Sequence, residues 1–143
     1  MTHPESAGVP DDVLRKYFDD YGWTFERLDE QTCRTGFRGQ NGSFSVLVRT
    51  SQHWVIFSIN PLMSPPETGW GHATLQTLAA ANHHVNMVKF GIDGENDVFL
   101  TVELPVEGFG YSHFADALSA ISHTADQLLV PLLQANAIDE QQL

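Results

Sequence analysis

Two adjacent histidines, His83 and His84, stand in the stretch "AAANHHVNMVKFGIDGENDVFLTVELP", and the carboxylates Asp93, Glu95 and Asp97 cluster after them. Metal binding is the chemistry such residues would do, and their spacing argues against it. Neighbouring helix positions point ~100° apart, so one ion cannot hold both imidazoles without unwinding the turn. A zinc helix uses His at i and i+4 instead. His72 shares roughly the face of His83 but lies about 16 Å away along the axis. Imidazoles at the end of a helix complement its dipole, which accounts for the pair. The carboxylates imitate the opening of a calcium loop, yet Val98 stands where a glycine should follow and Leu104 where a bidentate Glu is needed. Gly94 and Asn96 make the stretch a hairpin turn. His3, His53, His113 and His123 add no ligand spacing, so no metal is expected.

Cys33 is the only cysteine, which rules out an intrachain disulfide and a thiolate cluster. Its setting, "QTCRTG", matches no nucleophile signature, and a small residue on the core face of a strand explains it. "NGSFS" lacks the G-x-S-x-G elbow, and "GFRGQNG" lacks the Lys-Ser/Thr of a phosphate loop. Neither catalysis nor a cofactor is expected. Arginines are a different matter. With Phe37 facing a core, Arg34 and Arg38 share the opposite face of their strand, and Arg49, opposite in parity to Val46 and Val48, joins them across a hairpin. Three of the seven basic residues then stand on one patch. They form either a dock for an acidic segment or carboxylate, or cross-strand pairs with acids such as Glu26 or Glu103 worth ~0–1 kcal/mol each. Among the aromatics, Phe18 and Trp54 are assigned to the core. Tyr17, Tyr21 and Trp70 are candidates to line a groove for a partner.

The elements that must position these residues can be read from the pattern. "DDVLRKYFDDYG" has Val13, Leu14, Tyr17, Phe18 and Tyr21 at helical spacing, with Gly22 as a left-handed stop. "WTFERLDEQTCRTGFRG" is extended with an irregular middle. Asn41-Gly42 signals a hairpin into "SFSVLVRT". "HWVIFSIN" is apolar on both faces and reads as a central strand. Prolines in "PLMSPPETG" break the sheet before a helix over "WGHATLQTLAAANHHV". "MVKFGID" and "VFLTVELP" form a second hairpin. A last helix begins near Ser112, with Phe114, Leu118, Ile121, Ala125, Leu128 and Leu132 on one stripe and an end or kink near Pro131. The fold class is α+β in the order α-β-β-β-α-β-β-α, an antiparallel sheet covered by helices. Residues 1–10 read as a flexible leader, 11–134 as a single domain and 135–143 as a polar tail.

At 143 residues the chain suffices for one ordinary core, and its net charge is −11. No Lys or Arg follows Lys89. Such a surface repels phosphate backbones, so nucleic acid is not an expected partner. No apolar run approaches the ~20 residues that cross a bilayer, and the N-terminus does not read as a signal peptide. A cytoplasmic address without membrane attachment is expected.

The strings "YGW" at 21–23, "GFRGQNGSF" at 36–44, "LAAANHHVNMVKFGID" at 78–93 and "VFLTVELP" at 98–105, in this order and with "ALSAISHTADQL" at 117–128, resemble the YbjN-like proteins. That family is described as bacterial sensory transduction regulators and is related to class I type III secretion chaperones. The resemblance spans Asp11 to Leu132. It implies a homodimer that binds another protein and carries no catalytic residues. It places Leu75, Leu78, Ala79 and Asn82 of the middle helix near a dimer axis, and it leaves a groove or a strand edge for an extended partner. A secretion chaperone proper and a small-ligand-sensing regulator are the alternatives.

Overall fold

The computed structural model describes residues 8–142. Helix α1 (Asp11–Tyr21) leads into strands β1 (Phe25–Arg27), β2 (Thr32–Arg38), β3 (Ser43–Thr50) and β4 (Trp54–Met63). Helix α2 (His72–His84), strands β5 (Lys89–Ile92) and β6 (Val98–Pro105) and helix α3 (Tyr111–Gln141) complete the chain. The strands form one antiparallel sheet in the order β1-β2-β3-β4-β6-β5, so β4 is central as its two apolar faces require. The extended segment before the first hairpin folds back on itself. Thr32 O accepts the N–H groups of Leu28 and Asp29 at its bend, and β1 pairs with β2 in the register Glu26↔Arg34.

Alternation along the strands separates the two sheet faces. Cys33, Val46, Val48, Val55, Phe57, Ile59, Leu100 and Val102 point inward and are buried. The helices complete that core with Leu14 and Phe18, with Leu78 and Ala81, and with Phe114, Leu118, Ile121 and Leu132. Phe114 is central among them. Its ring meets Phe18 at 4.9 Å and Phe57 at 5.8 Å, edge to face in both cases, the favoured aromatic geometry. Gly22 ends α1 at φ 91°, donating to Phe18 O, as its position in the sequence requires.

Helix α3 does not stop at Pro131. Proline removes one helical hydrogen bond, but Leu132 and Ala135 beyond it are buried, and that packing carries the helix on to Gln141. The tail expected over 135–143 is therefore helical through Gln141, about 46 Å from the start of α3. Its polar residues have work in the fold. Asp139 accepts the N–H groups of Ala73 and Thr74 at 2.8 and 2.9 Å and the Thr74 hydroxyl at 2.7 Å. It thus caps α2, whose own N-cap residue Gly71 has no side chain to do so. A Cβ on Gly71 would come within 2.5 Å of the Asp139 carboxyl carbon, so the glycine makes room for the cap. Asp126 does the same for the first hairpin, accepting from the N–H groups of Gln40 and Asn41 at 3.0 and 2.8 Å.

Of the leader expected over 1–10, only residues 8–10 are described, and they are tied to the domain. Residues 1–7 lie outside the described residues, while Val9 is buried and donates its N–H to Thr50 Oγ1 at 2.9 Å.

Two predictions follow from this packing. Phe114→Ala should cost ~3–5 kcal/mol in urea unfolding, whereas Val130→Ala, on the exposed side of the same helix, should change stability by less than ~0.5 kcal/mol. Withdrawal of the Asp139 carboxylate from water pushes its pKa up, but the bonds from Thr74 and Ala73, with His72 nearby, outweigh this and hold it below the usual range. A lowered folded-state pKa gives stability that is complete above the unfolded value and lost as pH falls below ~4. The acid limb of the unfolding curve should therefore flatten in Asp139→Asn, as measured by thermal melts from pH 6 to pH 2.

Candidate functional site

His83 and His84 close α2 with their rings 5.0 Å apart, both exposed, at the negative end of the helix dipole. Asp93 is occupied by its own turn. Its carboxylate accepts the Asn60 side-chain N–H at 3.1 Å and the N–H groups of Glu95 and Asp97, and its pKa is lowered, chiefly by the Asn60 bond. Among the described residues no three His, Cys, Asp or Glu side chains gather closely enough to hold a metal ion. Cys33 is buried on the inner face of β2, and burial pushes its thiol pKa up, opposite to what a nucleophile needs.

The ladder of β2 and β3 places Arg34, Arg38 and Arg49 on the outer face, in the registers Arg34↔Leu47, Arg38↔Ser43 and Thr32↔Arg49. Arg34 pairs with Glu26 at 2.8 Å, directly across from it on β1, and Lys89 takes Glu103 at 3.1 Å. Arg38 and Arg49 make no ion pair among the described residues. Cross-strand pairing thus accounts for Arg34 and leaves two cations free.

The aromatic candidates divide. Tyr17 and Tyr21 are half-buried, Tyr17 against Phe109, Tyr111 and Phe114, and Tyr21 with its hydroxyl 2.8 Å from Ser119 Oγ. Trp70 precedes α2 and donates its indole N–H to Asn96 O at 2.7 Å, tying that loop to the β5–β6 turn. Trp54 was expected in the core and is instead 49% exposed on the outer face. Its position alternates with Val55, Phe57 and Ile59, and Ser58 on the same parity was the signal that this face meets solvent.

The middle-helix candidates divide too. Leu78 is 6% exposed and belongs to the core of the fold, whereas Leu75 and Ala79 are exposed. Asn82 is committed internally: it accepts the Phe90 N–H at 2.7 Å and donates to Phe90 O at 3.1 Å. Those bonds satisfy the outward backbone groups of edge strand β5 at that position.

One feature gave no sequence signal. Registered pairing of β3 with β4 runs only from Thr50↔Val55 to Leu47↔Ser58. Beyond it the strands part around a cavity of about 330 Å³, with Ser43 and Ser45 on one side, Asn60 and Pro61 on the other, and Leu129 of α3 beneath. The parting depends on tertiary geometry, which strand periodicity does not encode.

The profile of a family described as "Putative bacterial sensory transduction regulator", YbjN, matches residues 10–133. The chain belongs to the YbjN family. No curated protein matches it in sequence. Solved structures with the YbjN-like fold seen here include a chain of the heterodimeric ExoU–SpcU complex from the type III secretion system of Pseudomonas aeruginosa. The likeness covers 85% of this chain and 95% of that one, at 14% identity and TM-score 0.58. The type III secretion chaperone SycH of Yersinia pestis, solved with a fragment of YscM2, is similar over 82% of this chain and 97% of that one (11% identity, TM-score 0.56). The HopA1–SchA chaperone–effector complex contributes a third (12% identity, 80% and 88% covered, TM-score 0.54). At such identities the likeness is one of fold, and this YbjN chain is α+β in the manner of secretion chaperones.

The Cys33 thiol should be inert to a disulfide reagent in native buffer and react at once in urea. A native rate close to the unfolded one, followed by absorbance, would contradict its burial.

Proposed function

We propose that this YbjN protein is a non-enzymatic binding module that acts as a homodimer and holds an extended segment of another protein. The observation that carries the reading is the division of the sheet. Its inner face is filled by the three helices, while its outer face carries Arg34, Arg38, Arg49 and the exposed Trp54. An unpaired cation, Arg49, registered two residues along β4 from the exposed tryptophan suits a protein partner more than bulk water. Tyr17, Tyr21 and Trp70, half-buried at the helix ends, would offer a further contact on the helical side. The structural neighbours, solved in complexes with protein partners, support the same reading. Service to a secreted effector is its narrower form.

The dimer would form on the exposed side of the α2–α3 pair. Leu75 and Ala79 face outward on α2, and Leu133 and Ile138 do so on α3. Ile138 adjoins Asp139, whose carboxylate holds Thr74, so Ile138 and Leu75 stand at the same end of the pair. Leu75, Leu133 and Ile138 are 44 to 49% exposed, apolar surface that a second copy would cover. Asn82, at the far end of α2, would border it.

A second reading, ligand sensing, is favoured by a groove of about 410 Å³ where His84 and Asn86 face His123 and Gln127 across the end of α2. A small molecule retained stoichiometrically in native mass spectrometry would give that reading priority.

Light scattering after size exclusion should give about twice 15.9 kDa for the wild type. Leu75→Asp should give a folded monomer, with its circular dichroism unchanged. Leu78→Asp should unfold the chain instead, because it buries a charge in the core. A wild-type monomer, or a dimer indifferent to Leu75→Asp, would contradict the proposed interface.

A further inference from the structure

The parting of β3 from β4 creates a strand edge inside the sheet. Gly39 N–H donates to Gly42 O at 2.8 Å and Thr50 N–H to Gln31 O at 2.9 Å, which fixes the alternation of the β2–β3 ladder. Phe44, Val46 and Val48 direct their backbone groups to β2. Ser43, Ser45 and Leu47 direct theirs to β4, where Leu47 meets Ser58 but Ser43 and Ser45 have no registered partner. Across the gap, Pro61 has no N–H to offer, and the Asn60 side chain is turned away to Asp93. Backbone donors and acceptors lining a cavity of about 330 Å³ can be satisfied by water or by another extended chain. The floor, Phe44, Ile59 and Leu129, is apolar and would take one aliphatic side chain. Arg34, paired with Glu26, lines the cavity, and Arg38 lies directly opposite Ser43. In a chain of net charge −11, Arg38 is thus a cation beside the gap with no ion pair among the described residues.

We infer that the split between β3 and β4 is a receptor for about three residues of an extended, acidic polypeptide segment. The segment would pair with the Ser43 and Ser45 backbone, place an aliphatic residue over Leu129 and set a carboxylate against Arg38. This location rests on the binding-module reading above and specifies its partner as an acidic strand.

The test is amide exchange by nuclear magnetic resonance on the full chain, with the capped peptide Val-Thr-Asp-Val-Thr and its alternately N-methylated counterpart. The Ser43 and Ser45 amides should slow about tenfold or more on saturation, while Phe44 and Val46, already bonded to β2, stay unchanged. The N-methylated peptide should give no slowing, and Arg38→Glu, on an exposed residue, should weaken binding about tenfold. Protection at Phe25–Arg27 or Lys89–Ile92 with Ser43 and Ser45 unaffected would move the segment to an outer edge. That result overturns this site and leaves the binding-module reading standing. Equal binding of the N-methylated peptide, or indifference to Arg38→Glu, also overturns the site. If neither peptide protects any strand amide, both the site and the strand-binding reading fall.

Discussion

Packing of one long helix against one sheet face is the constraint on which the other features depend. Phe114, Leu118, Ile121 and Leu132 of α3 are fully buried, and each such side chain removed from water is worth ~1.5–3 kcal/mol. The same helix reaches outward with two aspartates. Asp126 fixes the β2–β3 hairpin and Asp139 caps α2, so one element sets the positions of the sheet, the first hairpin and the middle helix. Each aspartate meets a glycine, Gly39 or Gly71, where any Cβ would collide with it. The pairing of a carboxylate with a missing side chain is how α3 docks at both places.

With the inner face occupied, the outer surface is the one proposed here for partner binding. It carries free arginines, an exposed tryptophan and a gap in its own ladder. Edge strand β5 is partly closed by Asn82, and the short β1 carries the acidic partner of Arg34. Backbone hydrogen-bonding groups without a registered partner thus lie near the middle of the sheet as well as at its rim. The side chains best suited to meeting a second copy lie elsewhere, along the exposed side of α2 and α3. In the proposed reading, self-association and partner capture use separate surfaces.

Much of this was legible in the sequence because period-2 and period-3.6 patterns are local. The stripe from Phe114 to Leu132, the left-handed stop at Gly22, the core-facing Cys33 and the shared face of Arg34, Arg38 and Arg49 all follow from spacing. The misreadings share a cause. Leu78 is buried and Leu75 exposed, and only the partner element decides which is inside. Trp54 was judged by its hydrophobicity although its parity put it with Ser58. Pro131 and the polar residues after it imitate a helix end, because proline's cost is local while the compensating bonds of Asp139 come from α2, 65 and 66 residues away in the chain. The β3–β4 split, created by where two strands diverge, has no pattern to betray it.

The most direct measurement is hydrogen exchange along α3 in the intact chain. If this helix organises the fold through both its core stripe and its Asp139 cap, amides from Ala135 to Gln141, and those of Ala73 and Thr74, should exchange far more slowly than unstructured peptide. Asp139→Asn should accelerate both groups together while sparing Leu118 to Leu132. Free exchange beyond Pro131 in the wild type, with Ala73 and Thr74 still protected, would contradict the coupling of α2 to the last helix.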